Sequence, residues 1–466
     1  MKSRSDFAQE VFRHLKNINI PVVVWKNLEN INLLSSKATQ VELDIFVERA
    51  YSSSFYKLIN SLGFVKYQSA VASFPGIHHF YAACAEGWLH LNVYTSFVTG
   101  ESQTKFYNLP LLIEWQNVNY KIGIPVLGDS EFLELFVIRT AIKFGSIISL
   151  IRTIIDLKDY SAELKYVLQC ELTNTQLIDP VQIEFIVSKW KQRNYFSIFF
   201  RSLFIKFYLN RYARFGFVKR LIFRNVTLIT RIINKLAYKR KRFRSENTGI
   251  IISVVGTDGS GKSSIVSFLS SRFAIFDLKV LSVGRQDGYK RYFKPFFSVL
   301  PFLVKKTSYN TTSIKLRSRT GFFSAIKAVM VARARFKVMR LASRCRDTGH
   351  VVILDRLPVT IKGAQDGPRI YGSSLITKFL EQVEKRYYES CYPPDLVLRL
   401  DVSLENAVLR NRRRVKVDKE TDSEIAQRHE LFSKSFFRGG RVLCIDANVS
   451  LIQLREDCLA NVLKVW

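Results

Sequence analysis

The stretch Ile250-Ile251-Ile252-Ser253-Val254-Val255-Gly256-Thr257-Asp258-Gly259-Ser260-Gly261-Lys262-Ser263-Ser264 decides how this chain is read. Its first six residues are an apolar run broken only by Ser253, which predicts a buried strand. Residues 256–263 match G-x-x-x-x-G-K-[ST] at every position. Ile265, Val266, Phe268 and Leu269 follow at helical spacing. Strand, glycine-rich turn and helix N-terminus, in that order, make a phosphate cradle. Gly256, Gly259 and Gly261 let backbone N–H groups close around phosphate oxygens. The helix adds the positive end of its dipole. Asp258, Ser260 and Ser264 belong to the same loop. Lys262 reaches the β- and γ-phosphates, and the Ser263 hydroxyl can ligate Mg²⁺. The motif predicts ATP and Mg²⁺ as bound species.

Outward from that loop, the chain runs to 466 residues, which predicts two domains with linking elements. Six cysteines, Cys84, Cys170, Cys345, Cys391, Cys444 and Cys458, are scattered without C-x-x-C spacing. That argues for a reducing compartment and against a zinc site. The first ten residues do not read as a signal peptide. No uncharged apolar run approaches the roughly 18 residues of a spanning helix. The net charge of +32 calls for an anionic partner: a membrane surface, nucleic acid or a polyanionic substrate. Two stretches, 185–245 and 288–346, contain no acidic residue at all.

Residues 1–125 alternate helix and strand signals: a helix over 6–18, strands at 21–26 and 42–47, a helix over 55–64 closed by Gly63, and paired strands at 78–83 and 88–94. Residues 126–190 read as mostly helical. From 189 to 244, Phe, Leu and Ile alternate with Arg and Lys at near-helical spacing, ending in Lys239-Arg240-Lys241-Arg242. Such a segment can lie in a membrane interface, apolar face down and cations among the headgroups. A linker packed on the protein itself and a nucleic-acid contact are the competing readings. Tyr292–Lys306 is a second candidate interfacial segment.

Beyond the loop, Leu278–Val283 predicts the next strand. His350–Asp355 predicts a strand ending in a carboxylate beside Arg356. Asp355 can hold the water shell of Mg²⁺, and Arg356 can bind the acceptor. Pro394–Val402 and Arg441–Ile445 predict two more strands. Arg410 and Arg414 share one face of the helix after Ser403, as lid arginines that stabilise a transferring phosphoryl group would. A hydroxyl acceptor needs a general base. Asp287, just past the second strand, is the first candidate and Asp258 the second.

These pieces resemble thymidylate kinase and its nucleoside monophosphate kinase relatives. The likeness covers residues 248–466 and is carried by the loop at 256–264, Asp355-Arg356, Pro394–Asp401, the arginine-bearing lid and Ile445–Asn448. Two stretches depart from it. Gly284-Arg285-Gln286-Asp287 stands where that family carries Arg-Glu-Pro-Gly, and Leu357–Arg369 replaces the residues that hold the thymine. Residues 1–125 resemble a minimal nucleotidyltransferase-like domain. There Glu42-Leu43-Asp44 stands in for the metal-binding acidic pair, Lys26-Asn27 replaces an upstream Gly-Ser, and the third carboxylate position holds His90 or Asn92. The whole chain also resembles a family of two-domain bacterial proteins associated with surface-polysaccharide biosynthesis. Residues 89–101, 366–369 and 419–422 carry that likeness.

The expected fold is α/β: a nucleoside monophosphate kinase-like P-loop sheet over 248–466, and an α+β nucleotidyltransferase-like domain over 1–125. A helical extension over 126–190 and a basic amphipathic linker over 191–247 join them. The expected function is ATP- and Mg²⁺-dependent phosphotransfer to a sugar, a nucleotide sugar or a lipid-linked glycan. A deoxynucleoside monophosphate kinase and a nucleotide-gated assembly factor are the alternatives. The first domain is read as having lost transfer chemistry, and the expected location is the cytoplasm, with peripheral attachment to the inner face of the membrane and a homodimer among the expected partners.

Overall fold

A computed structural model describes residues 2–69, 74, 76–100, 105–144, 163, 165–216, 243–283, 320–364, 366–413 and 421–466, and all of 218–229 but 221, 224, 227 and 228. The chain divides into two compact units, Met1–Arg242 and Phe243–Trp466.

In the first unit, helix α1 (Arg4–Asn17) is capped by Ser3, whose side chain accepts the Asp6 N–H. Nine strands follow: β1 (Val22–Lys26), β2 (Gln40–Val47), β3 (Val65–Ser69), β4 (Ile77–Cys84), β5 (Gly87–Tyr94), β6 (Phe97–Thr99), β7 (Tyr107–Leu109), β8 (Asn119–Lys121) and β9 (Ile124–Val126). Helix α2 (Ser52–Ser61) lies between β2 and β3, and Gly63 at φ +88° ends it. Seven strands form a mixed sheet in the order β3-β4-β5-β2-β1-β9-β8. β6 and β7 pair separately. β2 and β5 are parallel neighbours, with Glu42 opposite His90 and Asp44 opposite Asn92. The possible third-carboxylate positions therefore sit directly beside the acidic pair.

Helix α3 (Asp129–Phe144) is buried nearly all round, its polar Glu131, Glu134, Arg139 and Thr140 included. Helices α4 (Pro180–Lys191) and α5 (Tyr195–Tyr208) pack on it. The region expected to be mostly helical is helical over 129–144, 165–167 and 180–191 among the described residues, and 168–179 are turn and irregular backbone. The buried Glu134 carboxylate explains this. It accepts N–H groups of Gln176, Leu177 and Ile178 at 2.6–3.2 Å, claiming donors that a helix would have used. Asp179 then caps α4, with Pro180 in its first turn.

The start of the stretch expected to be a basic amphipathic linker packs on the first unit. Ile198, Ser202 and Ile205 of α5 are buried, and Ile198, Ile205 and Leu209 belong to the first unit's core. The segments 239–242 and 292–306 lie outside the described residues.

The second unit is built on a five-stranded parallel sheet. Its strands are β11 (Ile250–Gly256), β12 (Leu278–Ser282), β13 (Val351–Asp355), β14 (Leu396–Asp401) and β15 (Arg441–Asp446), ordered β12-β13-β11-β14-β15. A short β10 (Phe243–Ser245) bridges to Phe276, and Arg244 pairs with the buried Asp277 at 2.6 Å. The central strands β11, β13 and β14 are mostly apolar and mostly buried, broken by Ser253 and by the half-buried Arg399, as a parallel sheet covered by helices demands. The helices are α6 (Lys262–Arg272), α7 (Phe322–Asp347), α8 (Leu375–Glu389), α9 (Leu404–Arg413), α10 (Asp422–Ser433) and α11 (Leu451–Leu463). Capping boxes at Ser374/Thr377 and Thr421/Glu424 start α8 and α10. All five strands run the same way, so their C-terminal ends, including Gly256 and Asp355, lie along one edge of the sheet. In open parallel sheets that edge is where ligands bind. Among the described residues, no helix is long and apolar enough to cross a membrane.

Candidate functional site

The loop between β11 and α6 has the form of a phosphate cradle. Gly259 and Gly261 adopt φ +89° and +92°, which side-chain-bearing residues rarely adopt. At Gly256 the requirement is space, since a Cβ there would lie 2.4 Å from Ser260 Oγ. Lys262 is buried at the start of α6. Its ammonium donates to the Thr257 carbonyl at 2.6 Å and lies 3.9 Å from Asp258. Burial pulls the Lys262 pKa down to about 8, against the pull of Asp258, Asp355 and Asp366. Thr257 Oγ1 and Ser260 Oγ are buried without a hydrogen-bond partner among the described residues. Buried hydroxyls are normally satisfied, and phosphate oxygens are acceptors of the required kind. The donor set fits a nucleotide's phosphates.

Asp355 ends β13, in register with Val254 of β11. No hydrogen bond or ion pair engages its carboxylate among the described residues. With the exposed Ser263 hydroxyl it supplies oxygen donors of the type Mg²⁺ takes when phosphate completes its shell. Arg356 has φ +76°, unusual for a non-glycine residue, and its N–H donates to the Val254 carbonyl at 3.1 Å. The strained backbone turns its guanidinium toward Asp366 (3.6 Å) and Asp258 (4.0 Å).

Three further residues complete this cleft, none of them singled out for chemistry by sequence. Asp366 joins two arginines: 2.7 Å to the buried Arg335 and 3.6 Å to Arg356. Arg335 also donates to the Tyr388 hydroxyl at 2.6 Å and to the Val283 carbonyl at 3.3 Å. Arg428 of α10 donates to Asp258 at 3.0 Å. Burial opposes ionisation of Asp258, but Lys262, Arg356 and Arg428 outweigh it and hold the carboxyl below its usual range. Glu384 accepts the N–H groups of Arg369 and Ile370 at 3.0–3.1 Å, which fixes the loop carrying Asp366. The cleft is lined by Gly256, Lys262, Arg356, Asp366, Arg428 and Phe432, among others. A second cleft is lined by Lys327, Arg335, Arg369 and Tyr388, among others.

The remaining residues from sequence divide. Arg410 donates to the Gly259 carbonyl at 3.3 Å, so α9 does bring it to the loop. Arg414 and Asp287 lie outside the described residues. Asp258 is close to Lys262 but already engaged by Arg428.

The acidic pair of the first unit has a different environment. Asp44 is wholly buried. It lies 3.0 Å from Lys26 Nζ and accepts hydrogen bonds from Asn27 (2.6 Å) and Asn92 (2.7 Å). Asn92 also donates to Glu42 at 3.0 Å, and His90 lies 3.6 Å from the other Glu42 oxygen. Burial opposes ionisation of Glu42, but His90, Lys26 and His79 together hold its carboxyl well below the usual range. Burial likewise opposes the charge on Lys26, and Asp44 and Tyr94 overcome it. Among the described residues, no group of three or more His, Cys, Asp or Glu side chains is placed to hold a metal ion.

No family model matches the chain. It is 22% identical to a thymidylate kinase of Idiomarina loihiensis over 215 residues, 46% of this chain and 96% of that protein. It is 23% identical to a thymidylate kinase of Legionella pneumophila over 217 residues, 46% of this chain and 93% of that protein. The chain is thus homologous to thymidylate kinases at low identity over about 46% of its length. Among solved structures, a thymidylate kinase from Candida albicans matches at TM-score 0.30 and 17% identity, covering 47% of this chain and 92% of that one. A deoxyadenosine kinase from M. mycoides with bound dATP matches at TM-score 0.26 and 12% identity, covering 46% and 98%.

Proposed function

We propose that the second unit is an ATP- and Mg²⁺-dependent phosphotransferase whose acceptor presents a phosphate monoester. The observation that carries this reading is the cradle at 256–264. There Lys262 and Thr257, whose buried hydroxyl has no partner among the described residues, line the same cleft as Arg356 and Asp366. The homologous thymidylate kinases support a kinase reading, with ATP as donor and Mg²⁺ as its usual companion.

In the transfer, the bond from the γ-phosphorus to the β–γ bridging oxygen breaks. A new bond forms to an acceptor oxygen, and ADP leaves. Lys262 and the loop N–H groups hold the charge that spreads over the γ-oxygens. Bound Mg²⁺, held by Ser263 and Asp355, would neutralise the β- and γ-oxygens. Arg356, steadied by Asp366 and through it by Arg335, binds the acceptor's anionic end, and Arg410 covers the loop. Asp258 and Asp366, both in this region, are already paired with arginines. That leaves neither free as a base and favours an acceptor that is already ionised. Leu357–Arg369 stands where a thymine would be held, so the group behind that phosphate is a nucleoside other than thymidine or a sugar. A glycan hydroxyl is the competing acceptor, and a nucleotide-gated assembly role is the third reading. The first unit is a nucleotidyltransferase-like domain in which Lys26 stands in place of the metals.

The test is ³¹P-detected transfer from ATP to a panel of nucleoside monophosphates, sugar phosphates, nucleotide sugars and lipid-linked glycans. Multiple turnover on a phosphate monoester supports the proposal. Turnover only on alcohols moves the assignment to a hydroxyl acceptor. Nucleotide binding without any turnover supports the assembly role.

A further inference from the structure

Helix α5 is apolar on two sides, and only one of them is covered. Ile198, Ser202 and Ile205 are buried against the first unit's core. Phe196 (74% exposed), Phe200, Leu203, Phe204 and Phe207 (77% exposed) are left in solvent. At 3.6 residues per turn, these five fall within an arc of about 100°. That is the width of an ordinary core-facing stripe, here facing outward.

A second stripe lies on the segment that follows. Val218, Ile222, Val226 and Ile229 are all exposed and recur at i, i+4, i+8 and i+11, which is one face of a helix. Arg220 ties this segment to the same unit by donating to the Tyr107 hydroxyl at 3.0 Å and to Asn210 at 2.8 Å.

The charges on these two segments are all of one sign. Arg201 and Lys206 flank the α5 stripe, Arg211 follows its end, and Lys219 sits beside the second. No acidic residue occurs between 185 and 245. The guanidinium of Arg201 lies 5.2 Å from the Phe185 ring and 5.8 Å from that of Phe204, so a cation borders the apolar arc directly.

We propose that these two stripes form a face by which the first unit docks, peripherally, on an anionic lipid surface. Aromatic and branched aliphatic side chains set among cations suit the boundary between acyl chains and headgroups. The cations on both segments, with no acid between 185 and 245, match the charge of an anionic leaflet. A base-stacking platform would need flat rings, and the second stripe is aliphatic throughout. A protein partner would have to supply both an apolar groove and an acidic rim. Phe199 is half-buried on the flank of the arc.

The test is flotation of the full chain with vesicles of phosphatidylcholine alone and with added phosphatidylserine. Binding to the phosphatidylserine vesicles should be about ten-fold stronger and should weaken with salt without vanishing, because the apolar contact is not screened. The F196S/F200S/F204S/F207S variant should lose the salt-resistant binding, by about ten-fold at high salt. The R201Q/K206Q/K219Q variant should lose the preference for phosphatidylserine. Should the quadruple variant fail to fold, Phe207→Trp reads the same contact: the emission it adds to the wild-type spectrum should shift to the blue on phosphatidylserine vesicles and be quenched by brominated acyl chains. The proposal is overturned if the wild type does not float, or if the quadruple variant floats like it. Equally decisive would be a wild-type dimer that the quadruple variant converts to monomer, since a second copy would then cover the face. Unshifted emission from the Phe207→Trp variant would end it too.

Discussion

The chain carries two sites built around carboxylates borne on strands, and these carboxylates are met by the protein to different degrees. In the first unit Asp44 and Glu42 are met by Lys26, Asn27, Asn92 and His90, so the protein supplies its own counter-charge and donors. In the second unit Asp355 has no partner, and the hydroxyls of Thr257 and Ser260 are buried and unpaired, among the described residues. A folded protein tolerates such unmade bonds at a cost of about 1–3 kcal/mol per buried group, and a ligand that makes them recovers it. The difference separates carboxylates met by the protein's own groups, with Asn92 Oδ1 still a buried acceptor without a partner among the described residues, from a site that the proposed nucleotide and metal would complete. Motif spelling alone does not make that separation, since Glu42-Leu43-Asp44 has the form of an acidic pair.

The comparison can be broken most sharply at Lys262. Lys262→Ala should cut phosphotransfer by about 10²–10³-fold, because a preorganised cation facing the transferring group is lost. Steady-state assays with purified variant give the number. Asp355→Asn should be next, with a loss of about 10²-fold that more Mg²⁺ partly restores. A magnesium titration of the rate reads this.

The third expectation follows from the depressed Lys262 pKa. In the free protein Lys262 titrates at about 8, below its ordinary 10.5. Bound phosphate would move it back upward, so the complex holds more protons than its parts between pH 8 and 10.5. Nucleotide affinity should therefore be flat below about pH 8 and fall as pH rises through that window. Calorimetry in buffers of different ionisation enthalpy should show proton uptake near pH ~8.5, and the uptake should vanish in Lys262→Ala.

At the first unit the expected effect is on stability, not turnover. Lys26→Met strands a fully buried Asp44 and should cost about 3–5 kcal/mol. Chemical denaturation of the first unit's transition measures it, and the same variant should keep its transfer rate per folded molecule. Glu42→Gln, at the rim of that network, should be the mildest and leave transfer unchanged.

What was legible in sequence follows from how far apart the parts lie. The phosphate cradle is contiguous because one turn of backbone must wrap the phosphates, so its glycines and Lys262 can be read in order. The strands that carry Asp355 and Asp401 are equally plain as apolar runs. The other side of the cleft is assembled from distant pieces. Arg428 meets Asp258 across 170 residues, and Arg335 meets Asp366 across 31, which no local pattern reveals. Lys26-Asn27 was visible as a replacement for Gly-Ser. That Lys26 neutralises Asp44 needed the pairing of β1 with β2, which sets Lys26 opposite Asp44. On α5, helical spacing could not say which arc meets the core, because both arcs are apolar. The irregular backbone at 168–179 depends on Glu134, more than forty residues away along the chain.

The most direct test of the central claim places the two sites in one assay. Transfer from γ-labelled ATP to phosphate monoesters would be followed for the wild type, Lys262→Ala and Glu42→Gln, each shown to be folded. The account expects turnover by the wild type, the same turnover by Glu42→Gln, and collapse in Lys262→Ala. Turnover that survives Lys262→Ala, or that is lost with Glu42→Gln, would contradict it.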